Sequence, residues 1–226
     1  ITFSAFEGFK TPPRSIAAII PSLMATSPII LSVPDPSKTS PPFKIKSNIF
    51  DFVTYEEFYQ LVLEASGGLC QLGIQAGNRV AIFSDNCLEW MVSDFACICS
   101  AVLDVPIYGT LTAGQVSYIL KNSGSRLIFV ATREQAEKAS EACDQAGIDI
   151  PIVMFNTDQS CPEGVTPWKV FLQEGKKSDL TERKFRDGAL RIKAPDVVTV
   201  LYTSGTTGNP KGVMLSHGGI LSNCEG

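Results

Sequence analysis

With 226 residues, 44% of them hydrophobic, the chain carries ample apolar material for a buried core and does not read as a disordered segment. A net charge of -4 and a pI near 5.1, spread without long like-charge runs, leave no basic footprint and exclude nucleic acid as a partner. The seven cysteines are an odd set and lack the paired spacing of a zinc site or a secreted disulfide framework. Cys87, Cys97 and Cys99 sit in apolar stretches and read as core thiols in a reducing, cytoplasmic setting, with no metal assigned to them.

Residues 1–14 show no clear periodicity and read as a loose amino terminus. Lys10 and Arg14 precede the apolar "SIAAIIPSLMATSPIILSV" much as in a signal peptide, but Pro21 and Pro28 break the run and no small-residue cleavage site stands out. The run also falls short of the ~20 apolar residues a membrane span needs. The simpler expectation is a helix near Ser15–Ala25 and a strand near Ile29–Val33, followed by the proline-rich turn "PDPSKTSPP".

From there strands and helices alternate. "TYEEFYQLVLEASGGLCQLG" has Thr54 as N-cap, Glu57 three residues on, and apolar residues at helical spacing through Leu61, Leu69 and Leu72, with Gly73 and Gly77 punctuating its end. "RVAIFS" then reads as a strand, "NCLEWMVSDFACICSA" as an apolar helix and "VLDVPIY" as a strand, which makes a βαβ unit. Capping boxes at Thr112/Gln115 and Thr132/Gln135 open two further helices, each followed by a strand, "RLIFV" and "DIPIVMF". The expected fold class is α/β: repeated βαβ units forming a mostly parallel sheet flanked by helices.

Between Asn156 and Asp196 the apolar signal fades, apart from a short helix expected around Trp168–Glu174, and the segment reads as a peripheral excursion. "DVVTVLYT" returns to the sheet. Asp85, Glu89 and Asp94 fall on or beside one helix and read as its solvated edge, while Trp90 and the phenylalanines read as core. The lone His217, at the start of a helix, reads as a cap or packing group rather than a general base.

The most informative stretch is "YTSGTTGNPKG", Tyr202–Gly212, directly after the last of these strands. Backbone N–H groups and short hydroxyl side chains exposed at a strand end suit phosphate oxygens, glycines allow close approach, and Lys211 adds positive charge. The stretch is not the kinase-type P-loop: counted from Gly205, the required second Gly is Pro210, and Gly212 replaces the hydroxyl residue that would follow the lysine. It contains no G-x-G-x-x-G fingerprint either, and "KGVMLS" reads as another strand rather than a helix. A plain hairpin turn rich in small residues is the structural alternative.

"YTSGTTGNPKGVMLSH" closely resembles the phosphate-binding signature of the AMP-forming acyl-CoA synthetases, members of the adenylate-forming ligase superfamily. The likeness covers about Ser15 to the end of the chain, and "DVPIYGTLTAGQVSYIL" and "GNPKGVMLSHGGILSN" are most similar to long-chain fatty acid ligases. Ala101 stands where relatives commonly carry Gly, and Gly109 where long-chain ligases often have Pro. The resemblance implies an enzyme in which a fatty carboxylate attacks the α-phosphorus of ATP and the thiol of coenzyme A then displaces AMP from the acyl-adenylate. It implies that Thr203, Ser204, Gly205, Thr206, Thr207 and Gly208 surround the β- and γ-phosphates and that Lys211 neutralises them. Pro210 and Gly212 would shape the loop, with Mg2+ bridging phosphate oxygens through a protein carboxylate beyond Gly226.

It further implies that residues 15–226 are part of an amino-terminal AMP-binding domain, that the carboxy-terminal domain is absent, and that the isolated chain is inactive. No catalytic residue is assigned. Peripheral membrane contact is an expectation from the family alone, with no amphipathic basic helix behind it, and the oligomeric state is left open. The alternative function is a non-catalytic nucleotide- or polyphosphate-binding module, or a remnant.

Overall fold

The computed structural model describes residues 53–156, 160–203 and 209–225. The helix expected near Ser15–Ala25, the strand near Ile29–Val33 and the loose terminus at 1–14 lie outside these residues. The described chain begins with helix α1 (Tyr55–Gln71), then β1 (Arg79–Phe83), α2 (Leu88–Cys99), β2 (Leu103–Ile107), α3 (Ala113–Ser123), β3 (Ile128–Val130), α4 (Arg133–Ala146) and β4 (Ile152–Met154). There follow β5 (Val165–Pro167), α5 (Trp168–Lys176), α6 (Glu182–Ala189), β6 (Val197–Thr203), β7 (Lys211–Ser216) and α7 (His217–Glu225).

The capping boxes form as the sequence implies. At Thr54 the backbone N–H donates to Glu57 Oε2 at 2.8 Å and the Glu57 N–H donates back to Thr54 Oγ1 at 3.2 Å. Reciprocal pairs form at Thr112/Gln115 and Thr132/Gln135, so three helices start where their side chains satisfy the otherwise orphaned first-turn donors. α3 and α4 both stop at glycines in the left-handed region, Gly124 at φ 63° and Gly147 at φ 66°.

The strands make one seven-stranded sheet in the order β5-β4-β3-β1-β2-β6-β7, parallel throughout except for the antiparallel β6–β7 hairpin at one edge. Side chains alternate between its faces. Val80 and Ile82 of β1 join a core with α1, α2, α5 and α6, while Ala81 and Phe83 join a second core with α3 and α4. Burial on both faces explains why these strands read as unbroken apolar runs instead of alternating ones. Cys97 and Cys99 are core residues, as expected.

The segment after Asn156 is not a peripheral excursion. Three residues of it, Val165–Pro167, add the edge strand β5, and α5 sends Trp168 and Phe171 into the first core against Phe129 and Phe155. The Phe129–Trp168 and Phe129–Phe171 ring centroids lie 5.9 and 5.4 Å apart in edge-on geometry, a favourable aromatic arrangement. α6 escaped notice because its "ERKFRDGA" has a one-turn apolar stripe, Phe185 and Ala189, which is all it buries.

α2 ends in a left-handed residue that is not glycine: Ala101, at φ 55°. Its carbonyl accepts the Gly77 N–H at 2.8 Å, so the conformation is held by the neighbouring turn. An L-residue costs roughly 1–2 kcal/mol there, and glycine avoids that cost but gives back part of it through the unfolded chain's entropy. Ala101→Gly is therefore expected to stabilise the fold by about 0.5–1 kcal/mol, read as a rise of a few degrees in the calorimetric midpoint.

Candidate functional site

The conspicuous loop connects the two strands of the edge hairpin. Thr203 ends β6 and Lys211 begins β7, and the two are cross-strand partners; Tyr202 pairs with Gly212 one step further in. Both Thr203 and Lys211 are exposed, and Pro210, half-buried, sits directly ahead of β7. Ser204, Gly205, Thr206, Thr207 and Gly208 lie outside the described residues. Because β6 runs parallel to β2 and through it to β1 and β3, the loop emerges at the same sheet edge as the loops that follow those strands. The carboxyl ends of parallel strands are where α/β sheets bind ligands.

Those neighbouring loops are closely packed. A methyl built on Gly109, after β2, would come 2.8 Å from Gln135 Nε2 and 3.0 Å from Asp85 Oδ1, joining the ends of β1, β2 and the start of α4. Gln135 accepts the Ala131 N–H at 2.9 Å, which fixes the turn between β3 and α4. The groups around Gly109 are ends of flexible side chains, so a larger residue there is a matter of local adjustment.

Among the described residues, two side-chain hydrogen bonds hold β6. Thr199 Oγ1 donates to Asp104 Oδ2 at 3.0 Å in the interior, and the Tyr202 hydroxyl donates to Asn122 Oδ1 of α3 at 2.6 Å at the surface. Asp104 is 2% exposed, its Oδ1 has no partner, and burial pushes its carboxyl up to about 7 against the pull of the Thr199 hydrogen bond. Asp94 faces it from α2 and is itself held well above the usual carboxylate range, first by burial and then by the Asp104 charge. The solvated-edge expectation therefore fails for Asp94, although Asp85 on the preceding loop is exposed.

His217 is buried, with Nδ1 unpartnered and its pKa lowered by desolvation despite the opposing Asp196 charge. The hydroxyl that caps the first turn of α7 comes from Ser216, which accepts the Gly219 N–H at 3.1 Å. His217 is a packing residue.

A family model described as "AMP-binding enzyme" matches residues 43–226. The chain belongs to this AMP-binding enzyme family. Among curated proteins, the chain is 31% identical over 195 residues to "Long chain acyl-CoA synthetase 5" of Arabidopsis thaliana, covering 78% of this chain and 27% of the relative. It is 32% identical over 183 residues to "Long-chain-fatty-acid--CoA ligase FadD15" of Mycobacterium tuberculosis, covering 81% and 29%. The chain thus spans less than a third of the length of these relatives.

Solved structures carry the same fold. The anthranilate CoA ligase AuaEII, in complex with anthranoyl-AMP, superposes with a TM-score of 0.65 at 22% identity, covering 74% of this chain and 30% of that one. A benzoate CoA ligase from Burkholderia xenovorans gives 0.62 at 18% identity, covering 77% and 31%. The mostly parallel sheet between helical layers is the architecture of these neighbours.

The hairpin brings Thr203, Pro210, Lys211 and Gly212 together at the strand ends. Sequence reasoning missed Asn122 and Asp104. Asp104 left a signal, a lone acid inside the apolar strand "VLDVPIY"; Asn122 left none, because its partner is 80 positions away. No helix among the described residues is long and apolar enough to cross a membrane.

Proposed function

We propose that the chain is the phosphate-gripping part of an enzyme that uses ATP to activate a carboxylic acid, a long-chain fatty acid, through an acyl-adenylate to acyl-CoA. One observation carries this: strand β6 ends at the sheet's carboxyl edge in Thr203, and β7 starts with Lys211 as its cross-strand partner, so an exposed hydroxyl and an exposed ammonium flank the loop's two stems. The names of the relatives supply the substrate class.

In this reading Thr203, Ser204, Gly205, Thr206, Thr207 and Gly208 offer N–H and hydroxyl donors to the β- and γ-phosphates, and Lys211 balances their charge. As the carboxylate displaces pyrophosphate, negative charge grows on the leaving group, and donors already aimed at it lower the barrier. Pro210 locks the φ of the residue that presents Lys211. Gly212 admits the Tyr202 ring, since a methyl there would stand 3.3 Å from Tyr202 Cζ. Mg2+ would screen the phosphates' charge, and coenzyme A would enter as the second substrate. The same reading places residues 15–226 in an amino-terminal AMP-binding domain and the enzyme in the cytoplasm, with membrane contact confined to its surface.

The test is ATP–Mg2+ binding to this chain by calorimetric titration. Lys211→Ala is expected to weaken it by about tenfold or more, as loss of a charge-assisted contact does; unchanged affinity overturns the reading. Fatty acid-dependent ATP–pyrophosphate exchange is expected to be absent from the chain by itself, because phosphate grip alone does not align carboxylate and nucleotide.

A further inference from the structure

The loop-bearing half of β6 packs against the second core through Val200 and the Tyr202 ring. Its register pair with β2 is Thr199 with Asp104, and the strand then runs on four residues to Thr203 with β7 as its partner. Among the described residues β7 is itself the sheet's edge. Among the described residues, the side-chain hydrogen bond that joins this distal half to another part of the fold is Tyr202 to Asn122.

Three features make that bond a fixed point. Asn122 lies in the last turn of α3, a helix whose Val116, Ile119 and Leu120 are buried in the second core, so the acceptor stands on a rigid element. The Tyr202 ring lies against Gly212, its own cross-strand partner, where a methyl would come 3.0 Å from Val200 Cγ1 and 3.3 Å from Tyr202 Cζ. A single tether therefore reaches both stems of the loop. Burial and the neighbouring Tyr118 raise the Tyr202 hydroxyl above its usual value of 10.0, which keeps it a donor throughout the ordinary pH range.

We propose that Asn122 and Tyr202 are a positioning pair for the phosphate loop, holding its two stems in place so that Thr203 and Lys211 meet the nucleotide together. This rests on the phosphate-gripping reading above. Neither residue touches the reacting atoms. Their contribution is orientation, which a displacement of about an ångström is enough to spoil.

The experiment titrates ATP–Mg2+ into the wild-type chain and into Asn122→Ala, Asn122→Asp, Tyr202→Phe and Lys211→Ala, and follows amide exchange at Thr203 and Gly212. Loss of one hydrogen bond predicts an affinity about three- to tenfold weaker for Asn122→Ala and Tyr202→Phe, with faster exchange at both amides. Asn122→Asp, which keeps the acceptor, restores both. Because Asn122 is exposed, its alanine variant should keep a thermal midpoint within about 2 °C of wild type, separating positioning from unfolding. If wild type binds, Lys211→Ala loses binding, and the Asn122 and Tyr202 variants match wild type, the positioning pair is overturned while the phosphate loop stands. If wild type does not bind ATP, the phosphate loop itself is wrong and the pair falls with it.

Discussion

Asp104→Asn is expected to make the protein more stable at pH 8, by a few kcal/mol, and to leave it nearly unchanged at pH 4.5. The cause is a buried carboxyl whose hydrogen bonds only partly offset the loss of solvation. Asp104 is surrounded by Asp94 and Cys97 from α2 and by Thr199 from β6, and of these only the Thr199 hydroxyl favours the ionised form. Its Oδ1 has no partner and neither carboxyl belongs to an ion pair among the described residues. In the folded state the carboxyl titrates at about 7, above its ordinary 3.8.

A raised carboxyl pKa means the folded state binds more protons than the unfolded one between those two values. Stability is therefore fully present below about pH 4 and is lost as the pH climbs through about 7, the reverse of the usual acid-labile carboxylate. Asparagine keeps an acceptor for Thr199 and removes the charge. Its new N–H donors lack a partner on the Oδ1 side, which costs part of the gain. His217 works in the opposite direction: its pKa is lowered, so its contribution is present above about pH 6.5 and fades as the pH falls. The clean readout is thus the difference in unfolding free energy between variant and wild type, measured in urea from pH 4.5 to 8.5. A difference that stays flat across that range would sink the idea of an incompletely compensated Asp104.

The Asp94–Asp104 pair marks the boundary between what local sequence encodes and what only the fold brings together. Local chemistry was legible: Thr54, Thr112 and Thr132 announced helix starts by hydrogen bonds spanning three residues, and the runs around Val80 and Phe129 announced doubly covered strands. The hairpin was legible too, because the strands on either side of the loop are apolar and lie close together in the chain. What failed was long-range. Asp94 reads as solvated because Glu89 shares its helix and Asp85 lies just ahead of it, and only the placement of α2 over β2 brings it to Asp104. Val165–Pro167 is too short for a periodicity, and α6 has too few apolar positions; both are held by the aromatic core they reach. Tyr202 and Asn122 belong to elements separated by three strands of chain order, a relation no local pattern encodes.

The second large effect concerns α1 and α5, which approach so closely that glycine is required on both. A methyl on Gly175 would overlap the backbone carbonyl oxygen of Glu64 and come 2.7 Å from the Gly68 backbone nitrogen. Opposite it, a methyl on Gly68 would stand 2.5 Å from the Phe171 ring. Backbone cannot move aside as a side chain tip can, so Gly175→Ala has to push the helices apart. The separation would loosen Phe171 and Trp168 against Phe129, the aromatic contacts at the centre of that core. Alanine is the better helix former by about 1 kcal/mol, and this opposes the overpacking. The net expectation is still a loss of about 2–3 kcal/mol, or roughly 5–10 °C in the thermal midpoint. Gly188→Ala in α6 separates the two contributions, since nothing lies within 4 Å of the added methyl and propensity alone should raise the midpoint slightly. If both variants shift the midpoint upward, the close approach of α1 and α5 does not constrain the fold.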